Sequence, residues 1–225
     1  LPTPSQPSPE LFQRFFLEAA AAGDEVVGIF LSHELSGTCQ CARLAADMAN
    51  VDNVLFVDSE NVCLGESLLV RLAVQLRDAG KTAGQIAATL EHAKEHLHLV
   101  AVIDDLKYLR KGGRISGASA LVGSLLQIKP ILQGDPEGKI VVLSKERGRK
   151  KAMDTLIQLY EEMVEDKSAP VGISHAAAPA EALHLATALR QAGCTGEILS
   201  VCHEPVTGAH VGPGTVALFF YGTEK

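Results

Sequence analysis

Short runs of β-branched and apolar residues recur along this chain, and most are separated by stretches of helical periodicity. That alternation constrains the fold more than any other feature. A strand, a helix and a further strand form the unit from which parallel sheets grow. Strands are expected at 25–31, 54–57, 97–103, 171–174, 198–202 and 216–221. Helices are expected at 38–50, 65–79, 82–95, 149–165 and 179–192. Residues 128–132 and 140–143 flank Gly134-Asp135-Pro136-Glu137-Gly138, a hairpin signal. A short helix is expected after Asp104, and a small apolar one over 116–127. The chain opens on a Pro-rich loop, and Ser8-Pro9-Glu10 then starts a helix with Pro at its first position. The implied fold class is α/β, with mostly parallel sheets flanked by helices. Gly112-Gly113 marks a hinge between two lobes, 1–112 and 113–225.

Charge and composition exclude several functions. With net charge −7 and no Trp, the chain lacks the basic footprint that nucleic acid requires. The charge is nonetheless uneven. The window 107–151 holds 11 of the 20 basic residues and 3 acids, so it carries +8 and the remainder −15. Such a window is either a solvated face or a surface for an acidic partner, a phosphate-bearing ligand or an anionic membrane. The five cysteines form no CxxC pair and read as reduced, buried thiols suited to a cytoplasmic protein. No apolar run approaches the ~20 residues of a membrane span, and no signal-peptide pattern is visible.

Two corners carry the chemistry. Leu35-Ser36-Gly37-Thr38 lies where a strand hands over to a helix, so free N–H groups and a hydroxyl can hold a carboxylate or phosphate. The alternative is that Ser36 or Thr38 merely caps its own helix. His210-Val211-Gly212-Pro213-Gly214 reads as a Gly/Pro-rich loop in which His210 either donates to an anion or is an ordinary loop histidine. No HExxH, GxSxG or Walker pattern occurs. His92, His96 and His98 read as helix-end residues on a Glu/Lys face, so no metal site is expected.

Three stretches in order resemble the DegV family. They are Ser5-Gln6-Pro7-Ser8, Leu35-Ser36-Gly37-Thr38-Cys39-Gln40, and the run from Leu106-Lys107-Tyr108 through Lys111-Gly112-Gly113-Arg114-Ile115-Ser116. Residues 117–132 and the His210 loop extend the likeness over essentially the whole chain. The resemblance implies a non-catalytic, cytoplasmic fatty-acid-binding protein of the EDD-type fold, with the acyl chain between two α/β lobes. It implies a carboxylate site at Ser36, Gly37, Thr38 and His210. The family's Thr falls on Pro4, leaving Thr3 as the neighbouring candidate. Ile115, Leu121, Leu125 and Ile128 are expected to line the acyl slot. The family's first strand and Asp-Ser loop have no counterpart before Ser5, so the first lobe is expected to lack its N-terminal strand. No cofactor is implied beyond the bound fatty acid. The partner implied is a separate fatty-acid kinase subunit feeding phospholipid synthesis, and charge assigns Arg110, Lys111 and Arg114 to the phosphate or the kinase. A transient membrane-surface contact fits the same basic window. The rival reading is a phosphotransferase lobe similar to dihydroxyacetone kinases, tethering a small ketone through His210 or His175.

Overall fold

A computed structural model describes residues 5–115 and 127–225. The first part runs α1 (Pro9–Ala22), β1 (Val26–Phe30), α2 (Thr38–Ala49), β2 (Val54–Asp58), α3 (Leu64–Asp78) and α4 (Ala83–Glu95). It continues with β3 (Leu97–Val102), α5 (Lys107–Gly112), β4 (Ile128–Gly134), β5 (Ile140–Arg147) and α6 (Arg149–Met163). The last elements are β6 (Val171–His175), α7 (Pro179–Gln191), β7 (Ile198–Cys202), α8 (Pro205–Val211) and β8 (Val216–Tyr221). The expected helix over 116–127 lies, but for Gln127, outside the described residues.

Local chemistry explains several boundaries. Thr82 and Gln85 close a reciprocal capping box at the start of α4. Gly23 ends α1 in the left-handed conformation, its N–H donating back to the last turn.

The strands form two sheets. β1 and β2 pair in parallel, and the larger sheet has the order β5-β4-β3-β8-β6-β7. The α/β reading holds, but the larger sheet is mixed rather than mostly parallel. β3 runs antiparallel to β4 and β8, β4 to β5, and β6 to β8, leaving β6–β7 as its parallel pair. Two of these pairs come from the β3–β4–β5 meander, and two from the last strand, because β8 inserts between β3 and β6 against both. No local sequence pattern encodes such an insertion. The change of sheet also falls earlier than the Gly112-Gly113 hinge, between β2 and β3. Every residue of β3 is buried, so β3 needs cover on both faces and takes a central place in the large sheet.

Period-two alternation along β3 and β8 divides the core. Val100, Val102, Val216, Leu218 and Phe220 face α6 and α7. Leu99, Ala101, Ile103, Ala217 and Phe219 face the opposite side, where α3 and α4 pack. A third cluster joins α1 and α2 to the small sheet around Phe16, Phe30 and Ala42, with Phe12 and Phe56 packed against it. The layers are therefore α1/α2, small sheet, α3/α4, large sheet and α6/α7.

Candidate functional site

The parallel pair β1–β2 is in register from Val26↔Val54 to Phe30↔Asp58. The loops leaving both strands therefore open side by side above their carboxyl ends, each leading into a helix N-terminus. This is the crevice where open α/β sheets bind ligands. A cavity of about 530 Å³ lies there, within the usual range for small-molecule sites. One wall is the α3-facing side of the large sheet: Leu99, Ala101, Ile103, Leu132, Ala217 and Phe219. Ala101 pairs with Leu132 on one side and Ala217 on the other, and two alanines in that row leave room where larger side chains would close it.

The polar lining includes Ser36, Gly37, Thr38, Arg114 and His210, together with Ser5, Gln6, His203, Thr207 and Thr215. Ser36 Oγ lies 2.8 Å from Thr38 Oγ1 and accepts the Thr38 N–H at 3.3 Å. It thus braces the start of α2 and also faces the cavity, so the capping and anion readings are not exclusive. Arg114 Nε donates to the Leu35 carbonyl at 3.1 Å, which ties the end of α5 to the Ser36 loop. The structure places Arg114 at the cavity, whereas Arg110 and Lys111 are exposed on α5.

His210 stands in the last turn of α8, not in an irregular loop. Glu204 caps that helix by accepting the Thr207 and Val206 N–H groups. The expectation of a loop rested on Gly212, Pro213 and Gly214, which lie just beyond the helix, Gly212 being its C-cap. Burial, followed by the nearby Arg114 charge, holds the His210 imidazole below its usual pKa. Gly112 permits its approach, because a Cβ there would collide with the His210 ring.

Of the expected slot residues, Leu121 and Leu125 lie outside the described residues, as does Thr3. Ile115 and Ile128 are not among the described residues that line the cavity. Ile128 opens β4 opposite Arg147, and Ile115 packs against the α3-side core. Among the described residues, much of the wall comes from strand positions whose facing was undetermined while both sides were apolar. Cys202 is exposed, against the expectation of a buried thiol; Cys39, Cys41 and Cys194 are buried and free.

Two groups escaped sequence reasoning. Ser32 is fully buried, and its Oγ donates to the Gly138 carbonyl at 2.8 Å, pinning the β4–β5 turn to the small-sheet loop. Gly138 needs its left-handed φ of +83°, and a Cβ would strike Ser32. The second group is Cys63, which lines the cavity. It caps α3 at φ 55°, ψ −126°, with Sγ 3.6 Å from His203 Nδ1; His203 Nε2 lies 3.2 Å from Ser174 Oγ. The layout resembles a nucleophile, base and orienting hydroxyl. Energetics argue otherwise. Burial pushes the Cys63 thiol up to about 12 and the His203 imidazole down to about 4. Both shifts oppose formation of a thiolate–imidazolium pair. The pair is a neutral, hydrogen-bonded patch of wall.

His175, the alternative covalent tether, accepts the Ala178 N–H at 3.4 Å and is not among the residues lining the cavity. Arg149, expected to belong to the basic surface, is a clamp. Its guanidinium reaches Glu181 at 2.7 Å, Asp104 at 3.4 Å and the Gly214 carbonyl at 2.5 Å.

The DegV family model, whose description reads "Uncharacterised protein, DegV family", matches residues 1–223. The chain belongs to the DegV family. A DegV domain-containing protein of Streptococcus pyogenes serotype M3 is 34% identical over 225 residues, covering 98% of this chain and 78% of that protein. A solved DegV family protein from Thermus thermophilus, described by its fatty acid binding, superposes with a TM-score of 0.90 at 31% identity, covering 99% and 80% of the two chains. DegV from Bacillus subtilis, described as a fatty acid binding protein, gives 0.83 at 31% identity, covering 97% and 78%. The lobed α/β architecture of this DegV chain is that of those structures. No helix among the described residues is long and apolar enough to cross a membrane.

Proposed function

We propose that this DegV protein is a cytoplasmic, non-catalytic carrier that holds a long-chain fatty acid in the cavity and presents its carboxylate to a separate kinase. The carrying observation is a cavity that joins an apolar sheet face to a polar group of Ser36, Thr38, Arg114 and His210. The acyl chain would lie along Leu99, Ala101, Ala217 and Phe219, where each buried methylene contributes ~0.8 kcal/mol. The carboxylate would take hydrogen bonds from Ser36, Thr38 and His210 and a charge from Arg114. A desolvated carboxylate without such partners would be costly. The fatty acids bound by the Thermus and Bacillus relatives support the ligand class.

Arg110 and Lys111, exposed on α5 beside the hinge, suit contact with an acyl phosphate or the kinase. Arg149 does not, because its charge is already spent on Asp104 and Glu181. Mass spectrometry of an organic extract of the purified protein should find co-purifying fatty acid, and Ser36→Ala should retain less. An extract without lipid, together with turnover of a small ketone and ATP, would instead establish the enzyme reading. Arg110→Glu with Lys111→Glu should reduce kinase coupling while lipid retention stays intact. Unchanged coupling would remove that surface from the reading.

A further inference from the structure

The last turn of α4 holds three metal-ligating side chains on one face. His92 and His96 are one turn apart, and Glu95 lies between them in sequence. One donor atom from each lies within 4.8 Å of the other two. Among the described residues no other group of three such side chains comes together. The two rings meet edge to face, centroids 5.0 Å apart, and Glu95 Oε2 is 3.4 Å from His92 Nδ1. We propose that His92, Glu95 and His96 form a binding site for a divalent transition-metal ion of the zinc class.

Three observations carry this assignment. First, two imidazoles and a carboxylate make a borderline N/O donor set, which suits zinc and its neighbours rather than magnesium or calcium. With bonds of about 2.0–2.1 Å, tetrahedral ligands sit about 3.3 Å apart. The present donor spacing, within 4.8 Å, is wider, so the exposed His92 and Glu95 side chains would turn inward on the ion.

Second, the His96 ring is oriented for coordination. Its Nδ1 is 3.0 Å from the Gly222 carbonyl, which can only accept, so in the neutral ring Nδ1 carries the proton and Nε2 is the nitrogen left to bind an ion. A backbone carbonyl behind a ring nitrogen is the usual outer support of a metal-binding histidine. Third, the site is at a helix C-terminus, where the backbone dipole favours a cation.

The position also gives the ion a consequence. The Gly222 N–H donates to the His96 carbonyl at 2.9 Å, and the Lys225 N–H to the Glu95 carbonyl at 3.0 Å. The end of α4 is thus joined to the segment that follows β8. An ion held by His92, Glu95 and His96 stiffens that joint, at a place outside the cavity lining. A ligand that binds only the folded chain raises its stability by mass action. The ion therefore raises the melting temperature without competing with a fatty acid.

The test is calorimetric titration of the full chain with zinc chloride, paired with thermal melts. One equivalent of zinc should bind saturably and raise the melting temperature, while the same concentration of magnesium should not. His92→Ala and Glu95→Gln change exposed side chains, so both variants should fold. Each should weaken zinc binding at least about tenfold, and His92→Ala should lose the thermal shift. His203→Ala should bind zinc as the parent does, which separates this site from the Cys63–His203 pair. Absence of saturable zinc uptake would overturn the assignment. So would His92→Ala binding with unchanged stoichiometry and affinity, an equal response to magnesium, or loss of binding in His203→Ala.

Discussion

Ala101→Leu tests the acyl path most directly. Ala101 is 5% exposed, near the end of β3, and faces the cavity in a row with Leu132 and Ala217. A leucine there projects three extra carbons into space the acyl chain would fill. Displacing about three methylenes at ~0.8 kcal/mol each costs the ligand about 2.4 kcal/mol, or roughly fiftyfold in affinity. The apo protein should keep its melting temperature, because the new atoms enter a cavity and not a filled core. The assay is competition binding with saturated fatty acids of graded length. The expected result is a large loss for long chains, a small one for short chains, and a shift of the optimum to shorter acids. An unchanged length profile with a folded variant would refute the placement of the chain along β3 and β8.

Gly112→Ala should push the His210 ring out of place and lower fatty-acid retention, with little change in circular dichroism; undiminished retention would remove His210 from the carboxylate site. Arg149→Ala should lower the melting temperature by an amount equivalent to about 1–3 kcal/mol, since Asp104 and Glu181 lose their shared partner. Arg110→Ala should leave it in place, and equal melts for the two would count against the clamp. The stability advantage of the parent over His203→Asn should depend on pH. Burial lowers the folded His203 pKa to about 4 from an unfolded value near 6.5. The unfolded chain therefore binds the proton first. The stabilising contribution is full above about 6.5 and is lost as pH falls toward 4, by up to roughly 3 kcal/mol. Glu66, raised to about 7 by burial, works in the opposite sense and is common to both proteins, so it cancels in the difference. A difference independent of pH would show that His203 is not held neutral.

Much of this was legible from local pattern. The strand at 216–221 and the hairpin around Gly138 stand where periodicity and turn chemistry put them. The Leu35-Ser36-Gly37-Thr38 corner faces the cavity because a strand-to-helix turn leaves its donors free wherever it occurs. His210 was legible as a residue but not as part of a helix, since two glycines masked the Glu204 cap. His98, grouped with His92 and His96, lies instead in β3, stacked on Phe220. There an apolar environment and the Thr223 carbonyl decide its state.

By itself the sequence determined the alternation of elements, the two polar corners and the excess of positive charge in 107–151. All of these depend on residues near one another along the chain. Tertiary structure alone decided that β8 enters between β3 and β6, because strand order depends on which faces must be covered. It also decided that Ala101 and Ala217 open the cavity, that Arg149 is a clamp, and that Ser32 meets Gly138. These are pairings between residues far apart in the chain, and no single segment carries the information that makes them.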